Sequence, residues 1–171
     1  MRFRLLCVTG CFEVREEVSQ SGVTEDATRT GYDGWRIESA SRGLYIHPFT
    51  DSQKRRAKER GWKLTAVMKA EEGVAYAAAE FGGADSGFPI QVFEDGDQEI
   101  VRLPTQVVPE VRGLDFVQSP AGDYHRYELI FDPVLKSADL YIDGELRLSG
   151  SRGWSQNVFR LDPGLLFGTA I

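Results

Sequence analysis

Trp62-Lys63-Leu64-Thr65-Ala66-Val67-Met68-Lys69 is the stretch that decides how this chain folds. Trp62, Leu64, Ala66 and Met68 share one face, while Lys63, Thr65 and Lys69 share the other. That two-residue period is the mark of a half-buried β-strand. Tyr127, Leu129 and Phe131 alternate in the same way with Arg126, Glu128 and Ile130. Residues 43–47, 74–81, 114–118, 138–142, 158–161 and 165–167 add further short apolar runs bounded by Gly, Pro or Asp.

One pairing can be tested by register. A two-residue Asp95-Gly96 turn sets Phe88 opposite Leu103, Ile90 opposite Val101 and Val92 opposite Glu99. One face of both strands is then apolar, except at Glu99, and a wrong register would scramble it. Asp143-Gly144 leaves two choices open. A two-residue turn places Tyr141 against Leu146, whereas a three-residue loop places Ile142 against Leu146 and Leu140 against Leu148.

The one helix expected is 51–60, opened by the capping-box pattern Thr50-x-x-Gln53 and stopped at Gly61. It has almost no apolar face and so belongs on the surface. About a dozen short strands, one helix and no βαβ rhythm imply an all-β, antiparallel two-sheet β-sandwich with one short surface helix.

At 171 residues the chain fits one domain with a sizeable core. Its 42% apolar and 27% charged residues are those of a globular protein, and 18 glycines suit many tight turns. Residues 1–31 read as a polar lead-in, a first strand plus an exposed loop, and 32–171 as the sandwich. Acidic residues outnumber basic ones 26 to 20, so a phosphate backbone meets a net charge of −6 and nucleic acid is excluded as a partner. No apolar run is long enough to span a membrane as a helix. Met1-Arg2-Phe3-Arg4 and the apolar residues to Cys11 have the outline of an export signal, and Val8-Thr9-Gly10-Cys11 that of a lipoprotein cleavage box. The apolar stretch is shorter than a normal signal core, which favours an ordinary strand. Cys7 and Cys11 are either bridged or free thiols, and with only His47 and His125 elsewhere they cannot complete a zinc site.

Tyr124 to Pro133, followed by Ala138-Asp139-Leu140-Tyr141-Ile142-Asp143-Gly144-Glu145 and later by Leu166-Phe167-Gly168, resembles the concanavalin A-like lectin/glucanase domains, laminin-G-like modules included. The likeness covers about 45 residues. It implies a jelly roll of two antiparallel sheets that recognises glycans or protein partners, sometimes with calcium, and by analogy an extracellular or cell-surface setting. Such domains usually continue with another long strand beyond the position of Ile171. The expectation is therefore a sheet completed by an N-terminal strand, or a fragment with an exposed edge.

Glucanases of this fold carry alternating carboxylates on one strand, and Asp95, Asp97 and Glu99 alternate superficially. The glutamate-x-aspartate-x-x-glutamate order is absent, and an Asp-Gly turn already explains these residues. No nucleophile elbow accompanies either histidine, and no phosphate-cradling loop is present. No catalytic residue is assigned. The binding candidates are loop residues: Trp154 as an aromatic platform with Arg152 and Asn157 as polar partners, and a second group at Tyr32 and Trp35. The competing reading of Trp154 is a cap on the core edge. Lys54, Arg55, Arg56, Lys58 and Arg60 could grip an acidic glycan or simply form a solvated helix face. Asp85, Asp123 and Asp162 are the loop carboxylates open to calcium. The expected function is a non-catalytic, carbohydrate-binding recognition module. A glycoside hydrolase with an unrecognised carboxylate pair and a protein–protein adhesion domain are the alternatives.

Overall fold

The computed structural model describes residues 2–4, 19–20, 27–30, 34–37, 43–70, 73–82, 87–106, 112–118, 122–154 and 163–170. In chain order the elements are β1 (Arg2–Arg4), β2 (Ser19–Gln20), β3 (Ala27–Thr30), β4 (Gly34–Ile37), β5 (Gly43–Pro48), α1 (Asp51–Arg60), β6 (Trp62–Met68) and β7 (Val74–Glu80). They continue as β8 (Gly87–Asp95), β9 (Gln98–Gln106), β10 (Arg112–Gln118), β11 (His125–Asp132), β12 (Ser137–Ile142), β13 (Glu145–Ser151) and β14 (Gly164–Ala170).

Two seven-stranded sheets form, in the orders β13-β12-β11-β6-β1-β4-β3 and β10-β9-β8-β7-β14-β5-β2, and every pairing is antiparallel. Among the described residues, the all-β sandwich with one short helix expected from periodicity is the observed architecture. The exposed loop expected within residues 1–31 contains β2 and β3. β1 is inserted between β4 and β6, so the start of the sequence does contribute a strand to the first sheet. The strand expected at 158–161 and both cysteines lie outside the described residues.

The core sits between the sheets. Leu64, Ala66, Met68, Tyr127, Leu129, Ala138, Leu140 and Ile142 face it from the first sheet. Ala75, Ala77, Ala79, Phe88, Ile90, Val92, Val101, Leu103, Leu165 and Phe167 face it from the second. Of these, Leu64, Ala66, Met68, Tyr127 and Leu129, and Phe88, Ile90, Val92, Val101 and Leu103, are period-two positions read from sequence. At one end the core becomes aromatic. Trp62 stacks on Phe131 at 5.5 Å between ring centroids and meets Phe88 edge-on at 5.1 Å, and Phe49 stacks on Phe81 at 5.3 Å.

α1 lies across this end and buries only Ala57. Thr50 Oγ1 accepts from Gln53 N–H at 3.3 Å, while Gln53 Oε1 accepts from Thr50 N–H at 2.7 Å. The predicted capping box is therefore formed, and Gly61 ends the helix.

The first hairpin turns one residue later than expected. Asp95 pairs with Gln98, Glu94 with Glu99 and Val92 with Val101, so Gly96-Asp97 makes the reversal. Gly96 has φ of 68° whereas Asp97 does not enter positive φ, the pattern of a II′ turn with glycine first. The pairing slides by two residues, an even number, so every side chain keeps its face. At the second hairpin both alternatives are partly realised. Asp143 (φ 52°) and Gly144 (φ 86°) form a two-residue turn of the I′ kind, pairing Ile142 with Glu145 and Tyr141 with Leu146. A bulge then brings Leu140 opposite Leu148, and a second irregularity brings Ala138 opposite Ser151.

Candidate functional site

Registers across the second sheet order the side chains of its outer face into rows. Gln91, Arg102 and Asp115 stand side by side on β8, β9 and β10, and Phe93, Ile100 and Val117 form the next row. Arg102 donates from Nε and Nη2 to the two oxygens of Asp115, both at 2.7 Å. Its guanidinium also lies 5.2 Å from the centre of the Phe93 ring. Asp115 holds the guanidinium firmly in its charged form. Val117 is 48% exposed, and Gln91, Phe93, Ile100 and Arg102 are half-buried. The result is a planar polar fork on an open sheet face with apolar surface beside it. A bidentate pair engages only two of the five guanidinium donors.

Toward β7, β14 and β5 the same face is closed. Ile46, Tyr76, Ala78, Leu166 and Trp154 form a second buried cluster there. Trp154 is 1% exposed, its backbone N–H donates to Gly87 O at 3.0 Å, and its indole N–H donates to Glu80 Oε2 at 3.2 Å. Gly82 N–H donates to the other oxygen of Glu80 at 3.2 Å. Burial drives the Glu80 carboxyl above the ordinary range, and these two donors only partly oppose it. Trp154 thus presents no ring face to solvent, and its surroundings are those of a cap on the core edge. Arg152 is exposed beside it. Asn157 and Tyr32 lie outside the described residues, and of Trp35 only the backbone is described, paired with Phe3 and Arg29.

The other buried carboxyl, Glu99, points between the sheets and is 0% exposed. Tyr127 Oη donates to its Oε1 at 2.6 Å and Gln118 Nε2 donates to the same oxygen. Among the described residues, Oε2 has no hydrogen-bond partner. Burial pushes Glu99 up, more than these donors and the nearby His125 pull it down, and pushes the Tyr127 hydroxyl up as well. Beside them, Asp143 accepts from Arg126 N–H at 2.9 Å and lies 2.6 Å from His125 Nδ1. Burial raises Asp143, yet the bonds from Arg126 and His125 together outweigh it and hold this carboxyl low.

A raised folded-state carboxyl stabilises the fold fully below its unfolded value, and this contribution fades as pH climbs through the folded value. Glu99→Gln keeps an acceptor for both donors and cannot ionise. Its stability relative to the native chain should therefore rise from pH 4 to pH 8, by on the order of 1 kcal/mol. Urea unfolding at several pH values measures this. A difference that stays flat, or falls, would mean that Glu99 is ionised inside the fold.

Glu80 and Glu99 lie on opposite sides of the second sheet, so they cannot flank one bond. Asp95 ends β8, Asp97 lies in the turn and Glu99 is buried, so the alternating acids do not line an open strand. Of the loop carboxylates, Asp123 is exposed, while Asp85 and Asp162 lie outside the described residues. Among the described residues no three His, Cys, Asp or Glu side chains gather as a metal site, and no helix is long and apolar enough to cross a membrane.

Arg102 and Asp115 escaped the sequence reading. Their only signal there is that each is the polar member of an alternating strand, at Val101-Arg102-Leu103 and Leu114-Asp115-Phe116. No family model matches the chain, and no curated protein matches it either.

Proposed function

We propose that the chain is a non-catalytic recognition module that binds carbohydrate on the outer face of β8, β9 and β10. The observation that carries this reading is the Arg102–Asp115 fork beside Phe93. A guanidinium and a carboxylate held in one plane offer donors and acceptors spaced for vicinal hydroxyls, and Phe93, Ile100 and Val117 offer apolar surface to a sugar's C–H face. The fork is preorganised, so little side-chain freedom is lost on binding. The likeness of residues 124–168 to concanavalin A-like domains supports the same reading by analogy. Recognition is placed on the sheet face and away from Trp154, whose ring is enclosed.

A glycan array probed with the native chain and with Arg102→Ala tests the proposal. The native chain should bind a defined set of glycans, and the variant should lose roughly tenfold or more in affinity. Asp115→Asn, which keeps the shape of the fork, should retain part of the binding. Equal binding by Arg102→Ala would reject the site. Release of reducing sugar from a bound glycan would favour the hydrolase alternative.

A further inference from the structure

The end of the sandwich opposite in character to this face carries a second feature that glycan binding does not use. β11 and β12 are joined by Asp132-Pro133-Val134-Leu135-Lys136, and its tip sets two large apolar side chains in water. Val134 is 87% exposed and Leu135 is 68% exposed, the highest among the large apolar side chains described. The tip is rigidly built. Asp132 Oδ1 accepts from Val134 N–H at 2.7 Å and from Leu135 N–H at 3.1 Å, and Lys136 closes the turn at φ of 53°. A chain gains nothing in its own stability by fixing two apolar side chains outward.

The C-terminal end of the cationic helix adjoins the base of this turn. Gly61, which ends α1, approaches so closely that a β-carbon there would lie 2.5 Å from Phe131 O and 3.1 Å from Pro133 Cδ. α1 and the turn together hold Lys54, Arg55, Arg56, Lys58, Arg60 and Lys136 against Asp51, Glu59 and Asp132. Six basic groups against three acidic ones make this end positive in a chain of net charge −6. Lys54 is turned toward Asp51 at 2.6 Å, whereas Arg55 and Lys58 are exposed.

From this juxtaposition we propose that the end of the sandwich is a docking surface for an anionic lipid bilayer. Val134 and Leu135 enter the interfacial region, and the cations of α1 and Lys136 meet the headgroups. Neither part suffices alone. Two apolar side chains bury too little area for stable attachment, and surface cations by themselves are easily screened by salt. Joined at one end of the sandwich, they supply the two signals that reversible membrane binding requires.

The test is co-sedimentation of the full chain with sugar-free vesicles, so that its failure is separate from failure of the glycan reading. Vesicles of phosphatidylcholine with about 30% phosphatidylserine should bring the chain down, phosphatidylcholine alone should not, and about 0.5 M NaCl should weaken the binding. Val134→Ser with Leu135→Ser, which removes apolar surface without adding charge, should cost about tenfold or more in affinity. Arg55→Glu with Lys58→Glu should cost roughly 25-fold or more, at about fivefold per cation. All four residues are exposed, and matched thermal melts establish that the variants fold. Val134→Gln with Leu135→Gln replaces the serine pair if those melts differ. No sedimentation with any vesicle overturns the proposal and leaves the tip to a protein partner. Full binding by the tip variant, with loss only in the helix variant, also overturns it, because charge alone would then suffice.

Discussion

Gly87→Ala is expected to lower the unfolding free energy by about 3 kcal/mol or more. A β-carbon on residue 87 would stand 1.6 Å from Trp154 Nε1, 2.4 Å from Trp154 Cδ1 and 2.3 Å from Glu80 Oε2. None of these atoms can easily withdraw. The indole is enclosed by Ile46, Tyr76, Ala78 and Leu166, and its backbone is tied to Gly87 itself. Moving the ring breaks its bond to Glu80 and leaves a buried carboxyl with Gly82 N–H as its one remaining described donor. Overpacking and a lost buried hydrogen bond therefore add. For a chain of this size the melting temperature should fall by about 6–12 °C. In a Trp154→Leu background the same glycine change should cost clearly less, because the clash and the bond are already gone. Additive costs in the double variant would mean that the indole is not what selects glycine at 87.

Trp62→Ala should cost about 3–5 kcal/mol, measured by urea unfolding. Its ring touches Phe131, Phe88 and Phe81, with centroids 5.1–5.5 Å away and one contact stacked within 5° of parallel. Removing it takes the shared ring out of an aromatic cluster and leaves a gap against Phe131, Phe88 and Phe81. Trp62→Phe should recover much of the loss by keeping one ring in the stack. A cost below about 1 kcal/mol for the alanine variant would mean that this aromatic end is not part of the cooperative core.

The elements that periodicity alone governs are legible in the sequence. β6 and β11 were readable because Trp62, Leu64, Ala66, Met68 and Tyr127, Leu129, Phe131 each alternate with polar partners, and α1 because Thr50 and Gln53 form a local hydrogen-bond pair. Turn registers were only half legible. Asp95-Gly96-Asp97 allows glycine to occupy either the first or the second central position, and the choice is made by the dihedral angles of one residue. The hairpin at Asp143-Gly144 resisted a single reading because a bulge satisfies two registers in succession.

The site was less legible for a different reason. Arg102 and Asp115 meet only through the pairing of β9 with β10, whose connection carries no turn signature, so their contact is non-local information. Trp154 misled in the opposite direction. Its glycine-rich approach and polar successors have the composition of a binding loop, yet the absent β-carbon at Gly87, 67 positions earlier in the chain, opens the slot that encloses its ring. Exposure of an aromatic side chain depends on such distant partners, which no local pattern encodes.

The rims of the two sheets bear on how this protein behaves in crowded solution. β13, the last strand of one sheet, departs twice from regular pairing, and β10, the last of the other, is irregular between Arg112 and Gly113 and carries charged Asp115. The opposite rims, β2 and β3, are two and four residues long. Among the described residues, the bulges of β13, the shortness of β2 and β3 and the charge of Asp115 on β10 each make strand addition by a neighbouring molecule less favourable.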